Sequence, residues 1–269
     1  MLCSRNERRN NVINISCTNH QHYGYITVAT SPIGTPSGVA RVVLKRKIST
    51  EYGWISVYTK EVSSVADLTF TFDDYLCRNK YTYNYKVEYR NSVGNIMDST
   101  TVNVNSFFDV LVICDSQETW YTPLNCAAIN FNTVRPYVIN TPLFAKKPSY
   151  YSPSEQNYEE GNCTGIFLKM TGPEDKIVFE TDHNWKYRKD FKNFITLGNA
   201  KVIKSVSGEM WLVGIKTDTI SDASLFQDAE IDGARQLEFG WIEIGDVDSE
   251  EDLYENGIIN VPSTYWSGV

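Results

Sequence analysis

The fold of this chain is decided by "YTYNYKVEY", residues 81–89, in which two kinds of side chain alternate without a break. One parity holds Tyr81, Tyr83, Tyr85, Val87 and Tyr89, and the other holds Thr, Asn, Lys and Glu. Successive side chains of a β-strand point to opposite faces, so this alternation predicts a strand with one buried and one hydrated face. We expect the tyrosines to form the inside of a β-sandwich, and a tyrosine-lined binding platform is the alternative.

Similar alternation continues on both sides of this stretch, from about residue 23 to residue 105. Leu68, Phe70 and Phe72 alternate with threonines, for example. Segments rich in Gly, Pro and Ser, such as "SPIGTPSG", separate the runs at hairpin spacing. The pattern predicts an antiparallel β-sandwich of about 80 residues, which is a usual size for such a domain.

The tyrosine strand and the turn after it resemble the penultimate strand and following turn of a fibronectin type III domain. Tyr83 stands where that family keeps a tyrosine whose hydroxyl bonds back to nearby backbone, and Leu76 stands at the core leucine before it. The match is completed by Val87, Tyr89 and Gly94. The resemblance implies a spacer or docking module, and the presence of such a module does not indicate any particular reaction.

Composition and charge limit the classes of protein to which the chain could belong. Its 269 residues, 42% hydrophobic and 22% charged, are typical of a folded protein, with two domains as the starting expectation. A formal net charge of −8 argues against a general nucleic-acid binder, which needs a positive surface. The sequence lacks both a membrane-spanning apolar run and a secretory signal. We therefore expect a protein made and used in a cytoplasm, or released only by cell lysis.

The composition and the residue pattern of the sequence change at residue 106. We predict an N-terminal arm over residues 1–22, the sandwich over residues 23–105, and a β-rich domain with one or two short helices over residues 106–269. After the strand-like "FFDVLVIC" comes "RPYVINTPLFAKKPSYYSPSEQNYEEGNCTG", which is rich in Pro, Asn and Tyr. This composition predicts a long irregular loop, and loops of that length are usually functional or form interfaces.

The segment "NWKYRKDFKNFITLG" predicts the main helix of the second domain, with Gly198 as its C-terminal stop. Two strands joined by a Ser-Gly turn should follow as a hairpin. The side chains of this segment that we expect to point toward the core are those of Trp185, Tyr187, Phe191, Phe194, Ile195 and Leu197.

Groups that could carry catalysis or bind a metal are few. His20 and His22 could share one side of an extended segment, but such a terminal pair is usually inert. His183 follows Asp182 just before the predicted helix, where "TDHN" is a more natural helix cap than a catalytic dyad. The usual hydrolase, metalloprotease and phosphate-loop motifs do not occur. The acidic segments that begin at Asp228 and Asp246 each miss part of a calcium loop. We predict a non-enzymatic protein with no catalytic residue, no metal and no cofactor.

Six cysteines are scattered along the chain without a C-x-x-C pair. A disulfide framework or a zinc site would need closer spacing or clustered ligands. We expect reduced thiols with a structural role.

The run "YRKDFKNFITLGNAKVIKSVSGEMWLVGI", with the later "FGWIEIGD", resembles a pattern of tailed-phage tail and baseplate proteins. In that pattern a short helix leads into a hairpin with a glycine turn, and an aromatic strand follows. "NYEEGNCTGIF" is similar to the Asn-Tyr-x-x-Gly segment that precedes their central strands. The matching positions are Gly208, Trp211 and Trp241, together with Leu197, Lys201, Leu212, Val213, Phe239, Glu243 and Asp246.

Together the two resemblances imply a distal-tail-like virion protein that carries a fibronectin type III-like module. Such a protein would be a structural subunit of the tail tip, baseplate or collar, assembled in the host cytoplasm. It would form a ring and connect the tail tube to the hub or fibres. Its partners would be further copies of itself and other tail or baseplate proteins, with no nucleic acid and no membrane insertion.

A closed ring requires two different interface patches on every subunit. We expect one patch in the N-terminal arm and the other in the long loop, because aromatic residues are enriched at interface centres. The candidate interface residues of the loop are Lys146, Lys147, Tyr150, Tyr151 and Tyr158.

The alternative function is a lectin-like, carbohydrate-binding module for adhesion to a host surface. Exposed aromatic rings would then stack on a glycan. An assembly protein should form discrete oligomers without ligand, whereas a lectin should bind glycan as an isolated chain. The candidate rings are Trp120, Tyr121, Tyr150, Tyr151, Tyr265 and Trp266.

Overall fold

The computed structural model describes residues 13–123, 127–143, 146–151, 157–171, 178–180, 184–224 and 235–259. These residues form a mainly β structure with two α-helices, which confirms the predicted fold class. They divide into two compact units, residues 13–108 and residues 109–258. No helix within the described ranges is long and apolar enough to cross a membrane.

The first unit consists of two antiparallel sheets. One sheet has the order β1-β2-β5, and the other has the order β4-β3-β6-β7. The strands are β1 (Ile13–His20), β2 (Tyr25–Pro32), β3 (Arg41–Ile48), β4 (Ile55–Glu61), β5 (Phe70–Asp74), β6 (Thr82–Arg90) and β7 (Ile96–Asn105).

Strand β1 corrects the predicted extent of the N-terminal arm. We assigned residues 1–22 to that arm, but β1 pairs with β2 along its whole length. The reason is a short alternation in which Ile13, Ile15 and Cys17 share one face, and this face packs into the core of the first unit. Residues 1–12 lie outside the described residues.

The tyrosine face of β6 lies inside the first unit. Tyr83, Tyr85, Val87 and Tyr89 are each at most 2% exposed. Tyr81 has the same parity but precedes the strand, and it is 40% exposed. β6 lies between β3 and β7, so both of its backbone edges are paired. The alternation therefore reflects the core of the unit, as we predicted for the strand itself.

A buried ion pair, which the sequence pattern did not predict, connects the two sheets of the first unit. Arg46 on β3 donates from Nη1 to both carboxylate oxygens of Asp74 on β5, at 2.8 Å each. The Tyr85 hydroxyl donates to Asp74 Oδ2 at 2.6 Å. Burial opposes the charge of Arg46, but the adjacent Asp74 more than offsets this and raises the pKa of Arg46. Burial of the Tyr85 hydroxyl disfavours its charged form and therefore raises the pKa of Tyr85.

The second unit is built on a seven-stranded sheet with the order β10-β13-β18-β17-β16-β8-β9, which we call the large sheet. Two short ribbons, β11-β12 and β14-β15, accompany it. The elements are β8 (Val110–Cys114), β9 (Thr119–Pro123), β10 (Ala127–Val134), β11 (Val138–Asn140), β12 (Ser149–Tyr151), β13 (Tyr158–Gly165), β14 (Lys169–Thr171), β15 (Val178–Glu180), α1 (Asn184–Thr196), β16 (Lys201–Lys204), β17 (Met210–Ser224), β18 (Arg235–Gly245) and α2 (Glu250–Glu255).

Helix α1 packs on the large sheet and ends where the sequence predicts. Gly198 has φ 77°, the left-handed conformation that glycine adopts without steric cost after a helix. Trp185 and Leu197 are 56% and 63% exposed, so the prediction that these two face the core is wrong. They lie in the first turn of the helix and just beyond its last residue, away from the central turns that pack on the sheet. The predicted core residues that are buried are Phe191, Phe194 and Ile195.

A second buried ion pair ties β16 to the β8–β9 hairpin. Lys201 Nζ lies 2.9 Å from Asp115 Oδ2 and 4.4 Å from the centre of the Phe194 ring. The other carboxylate oxygen of Asp115 accepts the backbone N–H groups of Gln117 and Glu118, which closes the hairpin turn. Burial raises the pKa of Asp115, but Lys201 and these backbone donors outweigh burial and hold it below the usual range.

Candidate assembly interface

The segment that we predicted as a long irregular loop forms a β-hairpin arm, so that prediction is wrong. β10 pairs with β13 from Ala127 opposite Gly165 to Val134 opposite Tyr158. Beyond this pairing, β11 pairs with β12. The sequence hides these short strands, because both of their faces are exposed and no apolar–polar alternation marks them. We call the described residues 127–143, 146–151 and 157–165 the hairpin arm, and residues 137–143 and 146–151 within it the hairpin tip.

The hairpin tip exposes apolar side chains on both of its faces. Ile139 and Tyr150 are opposite each other, and Tyr137 stacks on Tyr150 with 5.6 Å between the ring centres. Val138 and Tyr151 are paired on the other face. All five side chains are at least 54% exposed. A two-stranded ribbon is only marginally stable in water, and contiguous exposed apolar surface is more typical of interaction sites than of ordinary protein surface.

The tip region is also basic, although the chain as a whole is acidic. Residues 127–151 contain Arg135, Lys146 and Lys147 and no Asp or Glu, in a chain of formal net charge −8. All three basic side chains are exposed. The tip therefore combines apolar surface with positive charge.

Most of the predicted interface residues belong to this tip. Lys146, Lys147, Tyr150 and Tyr151 are exposed there, whereas Tyr158 is half-buried at the start of β13. The structure brings the first four together on one short ribbon. Their role in an interface stays a prediction.

A groove of about 590 Å³ lies beside the arm, near the end of β10, the start of β13 and the end of β18. We call it the base groove. The arm contributes Pro136, Asn157 and Tyr158, and Ile244, exposed at the end of β18, contributes further apolar surface. The rest of the lining consists of Glu243, Gly245 and Asp246.

The surroundings of the base groove are strongly acidic. Burial raises the pKa of Glu243, and the negative charges of Glu159 and Asp246 raise it further. No Lys or Arg lies between residues 243 and 255. The carboxylates of that stretch are Glu243, Asp246, Asp248, Glu250, Glu251, Asp252 and Glu255.

The acidic segment that begins at Asp246 forms a helix and not a calcium loop. The Ser249 hydroxyl accepts the backbone N–H of Asp252 and caps α2. Asp252 Oδ2 in turn accepts the backbone N–H of Asp246 at 2.6 Å. Among the described residues, no three His, Cys, Asp or Glu side chains are grouped so that they could hold a metal ion. The segment that begins at Asp228 lies largely outside the described residues.

The tryptophans of the phage-tail pattern lie in the core beneath the arm. Trp211 and Trp241 are buried, with 5.2 Å between their ring centres. Trp211 Nε1 donates to Glu159 Oε2 at 2.5 Å, and the ring of Phe131 on β10 packs on Trp211 at 5.1 Å. Gly208, with φ 108°, forms the turn between β16 and β17. These residues support the sheet from which the arm extends.

Gly161 holds the two strands of the arm close together. A Cβ atom at this position would lie 1.8 Å from the carbonyl oxygen of Asn130 on β10. Any side chain here would force the strands apart, which explains the glycine of the Asn-Tyr-x-x-Gly segment. Sequence reasoning recognised the segment but not this close approach of two backbones.

Among the described residues, the rings proposed for glycan binding do not form one exposed set. Trp120 is buried and packs on Tyr187 and Phe191 at 4.6 and 5.5 Å between ring centres. Tyr121 is half-buried, and Tyr150 and Tyr151 are exposed. The remaining two rings of that proposal, at positions 265 and 266, lie outside the described residues.

The histidines and cysteines offer no converging reactive group within the described ranges. His20 Nε2 lies 2.8 Å from Thr27 Oγ1, and its ring stacks on Tyr25, while His183 falls outside those ranges. Burial raises the pKa of the Cys17 thiol to about 12. The four described cysteines, Cys17, Cys77, Cys114 and Cys163, form no disulfide with one another. Their reduced state stays a prediction.

The sequence matches no known protein family and no curated protein. Solved structures with a partial likeness come from gene transfer agent particles. One is the virion of a native gene transfer agent particle, at 13% identity and a TM-score of 0.28. The match covers 51% of this chain and 92% of that chain. Another is the tail of an empty gene transfer agent particle with C6 symmetry, at 12% identity, the same coverage and the same TM-score. Scores this low do not establish a shared fold.

Proposed function

We propose that this chain is a non-enzymatic structural subunit of a tailed-phage virion, located in the tail tip, baseplate or collar. It assembles in the host cytoplasm into a ring and connects the tail tube to the hub or fibres. The observation that carries the proposal is the hairpin tip, whose apolar side chains are exposed on both faces of a two-stranded ribbon. An isolated ribbon of this kind gains stability when a partner covers it.

The first unit serves in this proposal as a fibronectin type III-like docking module. Its two sheets, β1-β2-β5 and β4-β3-β6-β7, support that assignment. So does the Tyr83 hydroxyl, which accepts the backbone N–H of Arg78 at 2.7 Å, as the family's tyrosine does. Leu76 is buried just upstream, and Gly94 has φ 92° in the turn after β6.

The partners of the subunit are further copies of itself and other tail or baseplate proteins. A ring needs a heterologous interface, in which two different patches of one subunit meet the complementary patches of its neighbours. The hairpin tip provides one such patch.

Light scattering of the purified protein at several concentrations, combined with negative-stain electron microscopy, tests the ring. We expect a discrete oligomer with a ring outline. The double variant Tyr150→Ser/Tyr151→Ser should shift the protein toward monomer. The matched control is Tyr52→Ser, because Tyr52 is 99% exposed but lies in the first unit, away from the tip in sequence. A wild-type protein that stays monomeric at every concentration contradicts the ring.

The virion assignment has an independent test. Mass spectrometry of virions purified from the producing strain should find the chain as a stoichiometric component, and its absence would contradict the assignment. A glycan array with the isolated chain tests the lectin-like alternative. Specific glycan binding by a monomer would favour that alternative.

A further inference from the structure

We infer that the hairpin tip of one copy docks into the base groove of the next copy, which rests on the self-assembly part of the proposed function. Both patches lie on the second unit, so every subunit carries one tip and one groove. A tip-to-groove contact is therefore heterologous, and it can be repeated from subunit to subunit until a ring closes.

Both patches expose apolar side chains, which could pack against each other in a contact. The tip offers Tyr150, Tyr151 and Ile139, which are all well exposed. The groove offers the partly exposed ring of Tyr158 and the exposed side chain of Ile244. A volume of about 590 Å³ can accept two or more large side chains from a ribbon.

The charges of the two patches are opposite. The hairpin tip, residues 137–143 and 146–151, carries only basic charged residues, Lys146 and Lys147. The groove is lined by Glu243 and Asp246, and the chain continues from it into the acidic helix α2. Opposite potentials steer association and fix the register of a contact, and like charges prevent tip from meeting tip. This complementarity favours a second copy of the chain as the occupant of the groove.

In the structure, no described residue of the hairpin tip belongs to the groove lining. The arm contributes only Pro136, Asn157 and Tyr158 to that lining, and all three lie outside the tip. Tip and groove of one copy are therefore separate patches, and each can meet the complementary patch of a second copy.

The decisive experiment uses two folded variants that each lose one patch. The tip variant is Tyr150→Ser/Lys146→Glu/Lys147→Glu, and the groove variant is Ile244→Ser/Asp246→Lys. Circular dichroism and thermal unfolding check that both remain folded, which we expect because all five side chains are exposed. Each variant alone should associate about tenfold more weakly or worse than the wild type. Tyr52→Ser is again the surface control.

Mixing the two variants distinguishes tip-to-groove docking from any symmetric contact. The mixture retains one intact groove, on the tip variant, and one intact tip, on the groove variant. It should therefore form a 1:1 heterodimer that grows no further, as measured by light scattering and native mass spectrometry. Failure of the folded variants to associate would overturn the inference, and so would a groove variant that assembles like the wild type.

A cysteine pair gives a covalent readout of the same contact. Ser149→Cys lies in the tip, and Asn157→Cys lies in the groove lining; both positions are exposed. Under mild oxidation the double variant should give a ladder of cross-linked oligomers, whereas an equimolar mixture of the two single variants should stop at dimers. Cross-linked dimers of the Ser149→Cys variant alone would indicate tip-to-tip contact and overturn the inference. If wild-type rings form but the groove variants assemble normally, only the docking inference fails, and the ring proposal stands.

Discussion

Strand β6 and the hairpin tip are both tyrosine-rich β segments, yet their side chains have opposite surroundings. Tyr83, Tyr85 and Tyr89 on β6 are almost completely buried, whereas Tyr150 and Tyr151 in the tip are more than two-thirds exposed. β6 is an inner strand beneath a second sheet, and the tip is a ribbon with a single layer. Residue type and strand conformation thus do not decide burial, because burial requires a second layer.

Because of this difference, the tyrosines of β6 should stabilise the fold, whereas those of the tip should stabilise association. A tyrosine in the core of the first unit contributes its buried area to folding, and aromatic side chains bury about 150–250 Å² each. The tip tyrosines contribute almost nothing to folding, since water still contacts them. If a partner buries these rings, each Å² of apolar area that is removed from water contributes about 25 cal/mol to the free energy of association. Variants in the two regions should therefore affect different measurements.

The largest effect on folding should come from the ion pair in the core of the first unit. Asp74→Asn leaves the buried Arg46 guanidinium without its counter-charge. Breaking such a pair costs about 3–5 kcal/mol, so the free energy of unfolding in urea should fall by that amount. The double variant Arg46→Met/Asp74→Asn is the control and should recover part of the loss, because it removes the buried charge and keeps an acceptor for the Tyr85 hydroxyl. A decrease below about 1 kcal/mol for Asp74→Asn would contradict a buried, paired Arg46.

The ion pair of the second unit should give a similar but pH-dependent effect. Asp115 has a lowered pKa in the folded state, so its contribution is present above its unfolded pKa of about 3.9 and is lost as the pH falls through the folded pKa. Asp115→Asn should therefore cost about 3 kcal/mol at pH 7, and its difference from the wild type should shrink below about pH 4. Urea unfolding at pH 3 to 7 measures this difference. A difference that does not change with pH would contradict the pairing with Lys201.

A smaller effect distinguishes two tyrosines on the same face of β6. Tyr83→Phe leaves the backbone N–H of Arg78 without its acceptor, which should cost about 1–3 kcal/mol. Tyr89 is the matched control, because its buried hydroxyl has no hydrogen-bond partner within the described residues. Tyr89→Phe should leave the free energy of unfolding unchanged or raise it slightly. Equal losses for the two variants would show that the Tyr83 hydroxyl does not support the corner after β5.

The smallest effect on folding should come from the tip. Tyr150→Ser/Tyr151→Ser should change the free energy of unfolding of the monomer by no more than about 0.5 kcal/mol, since both rings are exposed. The same variant should weaken association strongly. Urea unfolding at a concentration where the protein is monomeric checks the first part, and light scattering checks the second. Loss of monomer stability would mean that the tip rings support the fold itself.

Much of this fold can be predicted from the sequence where a strand or helix has one solvent-exposed and one buried face. β6, with alternating tyrosines, and helix α1, with its stop at Gly198, are such cases. The hairpin arm was missed because the outer ribbon is exposed on both faces, which leaves no periodic signal. The ion pairs were missed because Arg46 and Asp74, and Lys201 and Asp115, are far apart in sequence and belong to different strands or turns.

The sequence by itself determined the mainly β class, the buried tyrosine face and the position of the main helix, because those features depend on local periodicity and on glycine's freedom to end a helix. It also identified the four tip residues whose role in an interface we predict. Only the tertiary structure decided that β1 belongs to the first unit and that the predicted loop is a paired ribbon. The same holds for the base groove, whose lining combines carboxylates with Tyr158 and Ile244. These features depend on which distant strands pair and on which surfaces a second layer covers, and neither is encoded in a local pattern.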